Sequence, residues 1–107
     1  MKKILVAEDD NYLANAYRVK LTKAGFEVKN AFDGEEAINI LQTFAPDLII
    51  LDIVIPKKDG FTLLSELKAD EKWKNIPVIL VSNLGQKEDR DKGMQLGASD
   101  FFVKTDF

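Results

Sequence analysis

The clearest indication of the fold is the sequence Leu48-Ile49-Ile50-Leu51-Asp52-Ile53-Val54-Ile55. A continuous run of β-branched and other apolar residues is typical of a strand in a parallel sheet that is covered on both faces. One aspartate, Asp52, interrupts the run. Because a carboxylate taken out of water costs several kcal/mol unless it is partnered, we expect Asp52 to have a partner that offsets this cost.

Similar short apolar runs recur on both sides of this stretch and predict four more strands, at residues 4–7, 26–28, 78–81 and 101–103. The segments between them carry apolar residues at helical spacing, most clearly within 13–24, 37–44 and 60–67. Strands that alternate with helices form a parallel sheet with right-handed crossovers and helices on both faces. The predicted fold class is therefore α/β, with a doubly wound five-stranded sheet.

Local signals place the ends of the helical segments. Gly25 follows the first, Asp33 with Glu36 resembles a capping box before the second, and Pro46 ends the second. The fourth segment, 86–96, is mostly charged, and Met94 and Leu96 are its only large apolar anchors. We expect this fourth helix to be loosely held.

Composition excludes several kinds of function. The 107 residues suffice for one domain, and the absence of Cys and His excludes disulfides, thiolate or imidazole metal sites and an imidazole general base. A net charge of -3 argues against direct binding of nucleic acid. No apolar run approaches the roughly 20 residues of a membrane span, and Met1-Lys2-Lys3 does not begin a signal peptide, so we expect a cytoplasmic protein.

Polar residues stand where the predicted strands end. Ligands of an open parallel sheet bind beyond the carboxyl ends of its strands, so these residues should converge. They are Glu8, Asp9 and Asp10 after the first strand, Asp52 in the third, Ser82 and Asn83 after the fourth, and Lys104 after the fifth.

Their chemistry suits a divalent cation and a phosphoryl group. The carboxylates of Glu8, Asp9 and Asp52 would repel one another, and hard oxygen donors without His are what Mg²⁺ prefers. A carboxylate beside that ion attacks a phosphoryl group in line, while an ammonium and a hydroxyl neutralise the equatorial oxygens. Lys104 and Ser82 fit these two roles.

At this point the chain resembles the receiver domain of bacterial two-component response regulators, from Lys3 to Lys104. The motifs that carry the resemblance are ILVAEDD at 4–10, PDLIILDIVIPKKDG at 46–60, Val81-Ser82, and GASDFFVK at 97–104. The resemblance implies one receiver domain over 1–107 and a flavodoxin-like strand order 2-1-3-4-5.

The resemblance also implies the roles of the site residues. Asp52 would accept a phosphoryl group from a sensor histidine kinase or a phosphotransfer protein. Glu8, Asp9, Asp52 and the Val54 carbonyl would hold Mg²⁺ or Mn²⁺. The domain would catalyse only its own phosphorylation and dephosphorylation and would turn over no separate substrate.

For the switch, the resemblance implies that the Ser82 hydroxyl moves toward the phosphoryl group, which Lys104 also contacts. An aromatic side chain, here Phe101, would turn inward. These movements would reshape the surface around the fourth helix and the fifth strand.

The chain departs from the family pattern in several places. Glu8 and Ser82 stand where Asp and Thr are commoner, and Asn83 stands where Ala or Gly is usual. Thr105 replaces a proline, which disfavours the cis peptide that the family often has there, because a non-proline cis bond costs about 3–4 kcal/mol.

The largest departure is that no sequence for a fifth helix follows the fifth strand. We expect a receiver truncated at its carboxyl end, with part of one sheet face uncovered. An uncovered apolar patch marks an interaction site, so we expect self-association through that face.

Other interpretations of the same residues stay open. Asp10 is as suited to capping the first helix as to binding metal, Asp52 could be a structural acid paired with Lys104, and Phe101 could be plain core. A pseudo-receiver would keep the fold without phosphorylation. A haloacid-dehalogenase-type phosphatase would need an acid where Val54 stands, and a flavodoxin would need a Gly- and hydroxyl-rich phosphate loop after the first strand.

Overall fold

The computed structural model describes residues 1–83 and 85–104. Strands and helices alternate along this part of the chain. The strands are β1 (Lys3–Ala7), β2 (Glu27–Ala31), β3 (Leu48–Asp52), β4 (Val78–Ser82) and β5 (Asp100–Val103). The helices are α1 (Asn11–Lys23), α2 (Gly34–Leu41), α3 (Gly60–Ala69) and α4 (Lys87–Gln95).

All strand pairs are parallel, and the order across the sheet is β2-β1-β3-β4-β5. The predicted α/β class and the strand order 2-1-3-4-5 are therefore confirmed. β2 extends beyond the predicted run at 26–28 because the polar residues Lys29 and Asn30 also pair with β1. Apolar runs alone do not reveal such an edge strand.

The two faces of the sheet carry different layers of the core. One face packs against α2 and α3 through a large cluster that includes Leu51, Leu64 and Leu80, and Gly93 of α4 lies against the Leu80 side chain on the same face. The other face packs against α1 through a smaller cluster around Val6 and Ile50. Helices thus cover both faces, as predicted. Because all the strands are parallel, their carboxyl ends lie at the same edge of the sheet.

The second helix begins with the side-chain pair that the sequence indicated. The carboxylate of Asp33 accepts a hydrogen bond from the Glu36 amide at 2.8 Å. The Glu36 carboxylate accepts a hydrogen bond from the Phe32 amide at 2.7 Å, and Phe32 lies one residue before the N-cap. The capping-box prediction is correct for Asp33, and the return bond is displaced by one residue.

Helix α4 is weakly anchored, as predicted, although only one of the two expected residues anchors it. Gly93 is its one buried residue, and the N-cap, Gln86, makes no side-chain capping bond. Leu96 does pack against the core, whereas Met94 is 41% exposed, so its prediction as an anchor is wrong. At Gly93 the backbone approaches so closely that a Cβ there would overlap the Leu80 side chain.

Beside α1, the structure leaves an open groove of about 210 Å³, lined by Leu13, Ala16, Tyr17, Lys20 and Lys104. The part of the chain that the structure describes contains four helices, consistent with the prediction of no fifth. Residues 105–107, which include the Thr105 departure, lie outside the described residues. Within those described, no helix has the length and apolar character needed to cross a membrane.

Candidate functional site

Glu8 and Asp9 follow directly after β1. The Glu8 amide donates a hydrogen bond to the Ala31 carbonyl at 2.9 Å, which extends the pairing of β1 with β2 by one residue. This pairing draws the Glu8 side chain into the protein, where it is 1% exposed, while Asp9 stays exposed. The two acids therefore line the same pocket, one buried and the other exposed.

Asp52 is the last residue of β3 and is 3% exposed. The ammonium nitrogen of Lys104 lies 2.6 Å from Asp52 Oδ2 and 2.8 Å from Glu8 Oε1. The other carboxylate oxygen of Asp52 accepts a hydrogen bond from the Val54 amide at 3.1 Å. The buried carboxylate of Asp52 is thus paired with Lys104, which follows β5, the strand two places away from β3 in the sheet.

The acidic residues fit a divalent cation. Glu8, Asp9 and Asp52 each offer a carboxylate oxygen, and these oxygens lie within 4.8 Å of one another. Val54 and Asn83 line the same cavity, which has a volume of about 290 Å³. Converging hard oxygen donors on an open cavity suit Mg²⁺ or Mn²⁺, which keep several water ligands.

Burial gives the site unusual proton affinities. It raises the pKa of Glu8 above its usual value of 4.5, and contact with Lys104 offsets this effect only in part. Burial alone would lower the pKa of Lys104, but its contacts with Asp52 and Glu8 raise that pKa above 10.5. The lysine is therefore a permanent cation at neutral pH, whereas the ionised form of Glu8 is disfavoured.

This electrostatic arrangement predicts that Glu8→Gln stabilises the metal-free domain increasingly as pH rises. Because the pKa of Glu8 is higher in the folded than in the unfolded chain, its ionisation costs stability above about pH 4.5. The difference in unfolding free energy between variant and wild type should grow by up to about 1.4 kcal/mol per pH unit within the window between the two pKa values.

Urea unfolding in the presence of a chelator, at several pH values for both proteins, measures this difference. A difference that is constant with pH would show that Glu8 ionises as freely in the folded chain as in the unfolded one.

Ser82 and Phe101 lie at the neighbouring strands. Ser82 is the last residue of β4 and is 7% exposed, next to Val103 in the register of β5. Phe101 is 5% exposed and belongs to the large core cluster. The structure thus places Phe101 inside the core, and its role as a switch stays a prediction.

Asp10 caps α1. Its carboxylate accepts a hydrogen bond from the Leu13 amide at 3.1 Å, and its own amide donates to Glu8 Oε2 at 3.1 Å. The capping interpretation of Asp10 is therefore confirmed. Asp10 also orients Glu8 through its backbone.

Two residues that support the site were missed. Gly60 donates its amide to the Ile53 carbonyl at 2.7 Å, so that α3 begins against the backbone next to Asp52. Asn30 donates its side-chain amide to the Glu8 carbonyl at 3.2 Å. For Asn30, the available signal was a polar amide side chain in β2, at a position that alternates with exposed residues. Gly60 gave none beyond its place in a turn.

Comparison with known proteins supports the interpretation of this fold and pocket. The family model described as "Response regulator receiver domain" matches residues 4–106. The "Probable transcriptional regulator ycf27" of Cyanophora paradoxa is 42% identical over 103 residues, which are 96% of this chain and 42% of that protein. The chain thus spans less than half the length of this curated relative.

Solved structures show the same architecture. The receiver domain of the Francisella response regulator 1452 superposes with a TM-score of 0.91 at 34% identity, covering 98% of this chain and 85% of that one. The Mn²⁺-bound form of response regulator Rcp1 superposes with a TM-score of 0.88 at 28% identity, covering 97% and 81%.

The fold and its acidic pocket define a flavodoxin-like signalling domain of the two-component type. The chain belongs to the response regulator receiver domain family.

Proposed function

We propose that this domain accepts a phosphoryl group on Asp52 in a reaction that requires Mg²⁺ or Mn²⁺. The observation that carries the proposal is the Lys104 ammonium, which contacts Asp52 and Glu8 beside three converging carboxylates. A purely structural Asp52–Lys104 pair would need neither Asp9 at the cavity nor the buried Glu8.

In the proposed reaction, a carboxylate oxygen of Asp52 attacks the phosphorus of a phosphohistidine in line. The new O–P bond forms as the N–P bond breaks, and the electron pair returns to the imidazole nitrogen of the donor. A cation held by Glu8, Asp9, Asp52 and the Val54 carbonyl would supply the positive charge that offsets repulsion between phosphoryl oxygens and carboxylates.

Lys104 and Ser82 complete the proposed site from the side of β4 and β5. The ammonium of Lys104, now on Asp52 Oδ2, would donate to a phosphoryl oxygen, and the Ser82 hydroxyl would donate to another. Both groups act without losing a proton, and the pKa of Lys104 is raised, which suits this role.

The output of the proposed switch is a shift of the surface around α4 and β5. Phosphorylation moves a two-state equilibrium only if the states lie within a few kcal/mol. Helix α4 buries a single residue, Gly93, so its displacement costs little. Ser82 and Phe101 would couple the phosphoryl group to that helix.

The proposed partners follow from this chemistry. A sensor histidine kinase or a phosphotransfer protein would supply the phosphohistidine, in the cytoplasm. The net charge of -3 gives the domain no electrostatic attraction for nucleic acid of its own. As with other receiver domains, the role is signal transduction rather than turnover of a separate substrate.

Metal dependence is the direct test of the proposal. Incubation with acetyl phosphate and Mg²⁺ should add one phosphoryl group to the protein, as measured by intact mass. An excess of EDTA should reduce this uptake at least about 100-fold, because the carboxylates then repel the donor. Equal uptake with and without the metal would refute the metal-assisted mechanism.

We also propose self-association through the groove beside α1. Leu13, Ala16 and Tyr17 give it an apolar lining, and Lys20 and Lys104 flank it. Sedimentation should show a dimer whose fraction rises with concentration. Ala16→Lys should weaken this dimer about tenfold by placing a charge in the groove, whereas Asn39→Lys, at an exposed position of α2, should not. A monomer at all concentrations would contradict this proposal.

A further inference from the structure

Both backbone polar groups of Glu8 are bound by β2, the edge strand beside β1. The Glu8 amide donates to the Ala31 carbonyl at 2.9 Å, and the Glu8 carbonyl accepts from Asn30 Nδ2 at 3.2 Å. The second bond comes from a side chain, so it depends on the identity of residue 30. A substitution there can remove it while the pairing of the strands remains.

The position of Asn30 makes this contact unusual. Asn30 is in register with Val6, whose side chain packs in the cluster under α1, and its neighbours along the strand on that face are apolar. Among residues 1–83 and 85–104, the side-chain oxygen of Asn30, Oδ1, is buried without a hydrogen-bond partner. A buried oxygen without a partner costs stability, so packing alone does not favour Asn at this position.

The bond from Asn30 bears directly on the orientation of two of the acids. The Glu8 carbonyl belongs to the same planar peptide unit as the Asp9 amide. Fixing that plane sets the direction in which the chain leaves Glu8 and enters Asp9. Both carboxylates, which converge with Asp52 to within 4.8 Å, are therefore set by the same peptide.

We propose that Asn30 is a positioning residue for the cation site, and that its side-chain hydrogen bond to the Glu8 carbonyl sets the affinity for Mg²⁺ or Mn²⁺. This inference rests on the proposed function, since it assumes that Glu8 and Asp9 bind the ion. Groups that orient metal ligands without touching the metal contribute about 10- to 100-fold to affinity in other sites.

The test measures Mn²⁺ binding to the whole chain by calorimetry, together with urea unfolding, for the wild type and Asn30→Leu. Leucine has a similar size and cannot donate to the Glu8 carbonyl. We expect the Mn²⁺ dissociation constant to rise about tenfold. The free energy of unfolding should change little, because removing the buried oxygen without a partner offsets the loss of the hydrogen bond to the Glu8 carbonyl.

Lys68→Met is the matched control. The Lys68 ammonium also donates side-chain hydrogen bonds to backbone carbonyls, those of Lys74 and Ile76 at 3.1 and 2.8 Å, but at the opposite edge of the sheet. This variant should lose stability and bind Mn²⁺ with wild-type affinity. If a loss of stability anywhere in the domain were enough to weaken Mn²⁺ binding, both variants would bind Mn²⁺ more weakly.

The outcomes separate the two proposals. Wild-type protein that binds Mn²⁺ while folded Asn30→Leu binds it equally well overturns the role of Asn30 and leaves the proposed function standing. Wild-type protein that does not bind Mn²⁺ overturns both. Should Asn30→Leu fold poorly, Asn30→Ala provides the same comparison without the added bulk. The role of Asn30 is established if a folded Asn30 variant binds Mn²⁺ more weakly than the wild type and Lys68→Met does not.

Discussion

Asp52→Asn should abolish phosphoryl uptake from acetyl phosphate in the presence of Mg²⁺. The amide nitrogen and oxygen of Asn keep the size of the side chain but remove the nucleophilic carboxylate, so no acyl phosphate can form. The loss should be complete within detection, by far the largest functional effect of any single change in the domain. Intact mass after incubation with the phosphodonor measures it, and circular dichroism confirms that the variant is folded.

Asp59→Asn is the control for this experiment. Asp59 is the N-cap of α3, where its side chain accepts a hydrogen bond from the Thr62 amide at 2.9 Å. Asparagine caps helices as well as aspartate does, so this variant should fold and take up one phosphoryl group. Uptake by Asp52→Asn at the wild-type level would show that another residue accepts the phosphoryl group.

Gly60→Ala should lower the free energy of unfolding by about 3 kcal/mol, the largest stability effect we expect from adding one methyl group. A Cβ at this position would overlap the Asp52 carbonyl oxygen and lie 2.7 Å from Ile53 Cα. Both neighbours are backbone atoms, of the last residue of β3 and of the residue after it, so no change of rotamer relieves the overlap. Either α3 or the end of β3 must move.

Urea unfolding of Gly60→Ala and Ser65→Ala measures this effect. Ser65 lies at an exposed position of the same helix, where alanine improves helix propensity and should change stability by less than about 0.5 kcal/mol. Because the same overlap displaces Asp52, the folded fraction of Gly60→Ala should also take up phosphate more slowly. Wild-type stability in Gly60→Ala would contradict the close approach of α3 to β3.

The central strands were predictable because burial on both faces leaves an unmistakable apolar run. β2 was predicted too short, since half of the side chains of an edge strand face solvent and its polar residues interrupt the apolar run. Met94 illustrates the opposite error: an apolar residue at a helical position was taken for an anchor. The close approach of Gly93 to the Leu80 side chain, which no periodicity reveals, places α4 on the sheet instead.

The convergence of the acids followed from topology alone, because strand ends share one edge of a parallel sheet. An ion pair between Lys104 and Asp52 was one of the interpretations that the sequence left open, whereas the contact of Lys104 with Glu8 was not predicted. The contact of Asn30 with Glu8 could not be predicted in the same way. Asn30 donates to a backbone carbonyl, which every residue has, so the sequence does not indicate which residue accepts the bond. The roles of all the site residues stay predictions.

Lys104 directly follows β5, a strand of four residues at the edge of the sheet that, within residues 1–83 and 85–104, pairs only with β4. Edge strands open locally at a lower free energy than the centre of a domain, and amide hydrogen exchange reports such openings. Fraying of β5 would withdraw the ammonium from Asp52 while the carboxylates on β1 and β3 stay in place. Such an opening would leave the carboxylates of the pocket without the ammonium, so the net charge of the pocket would fall by one without any change in protonation.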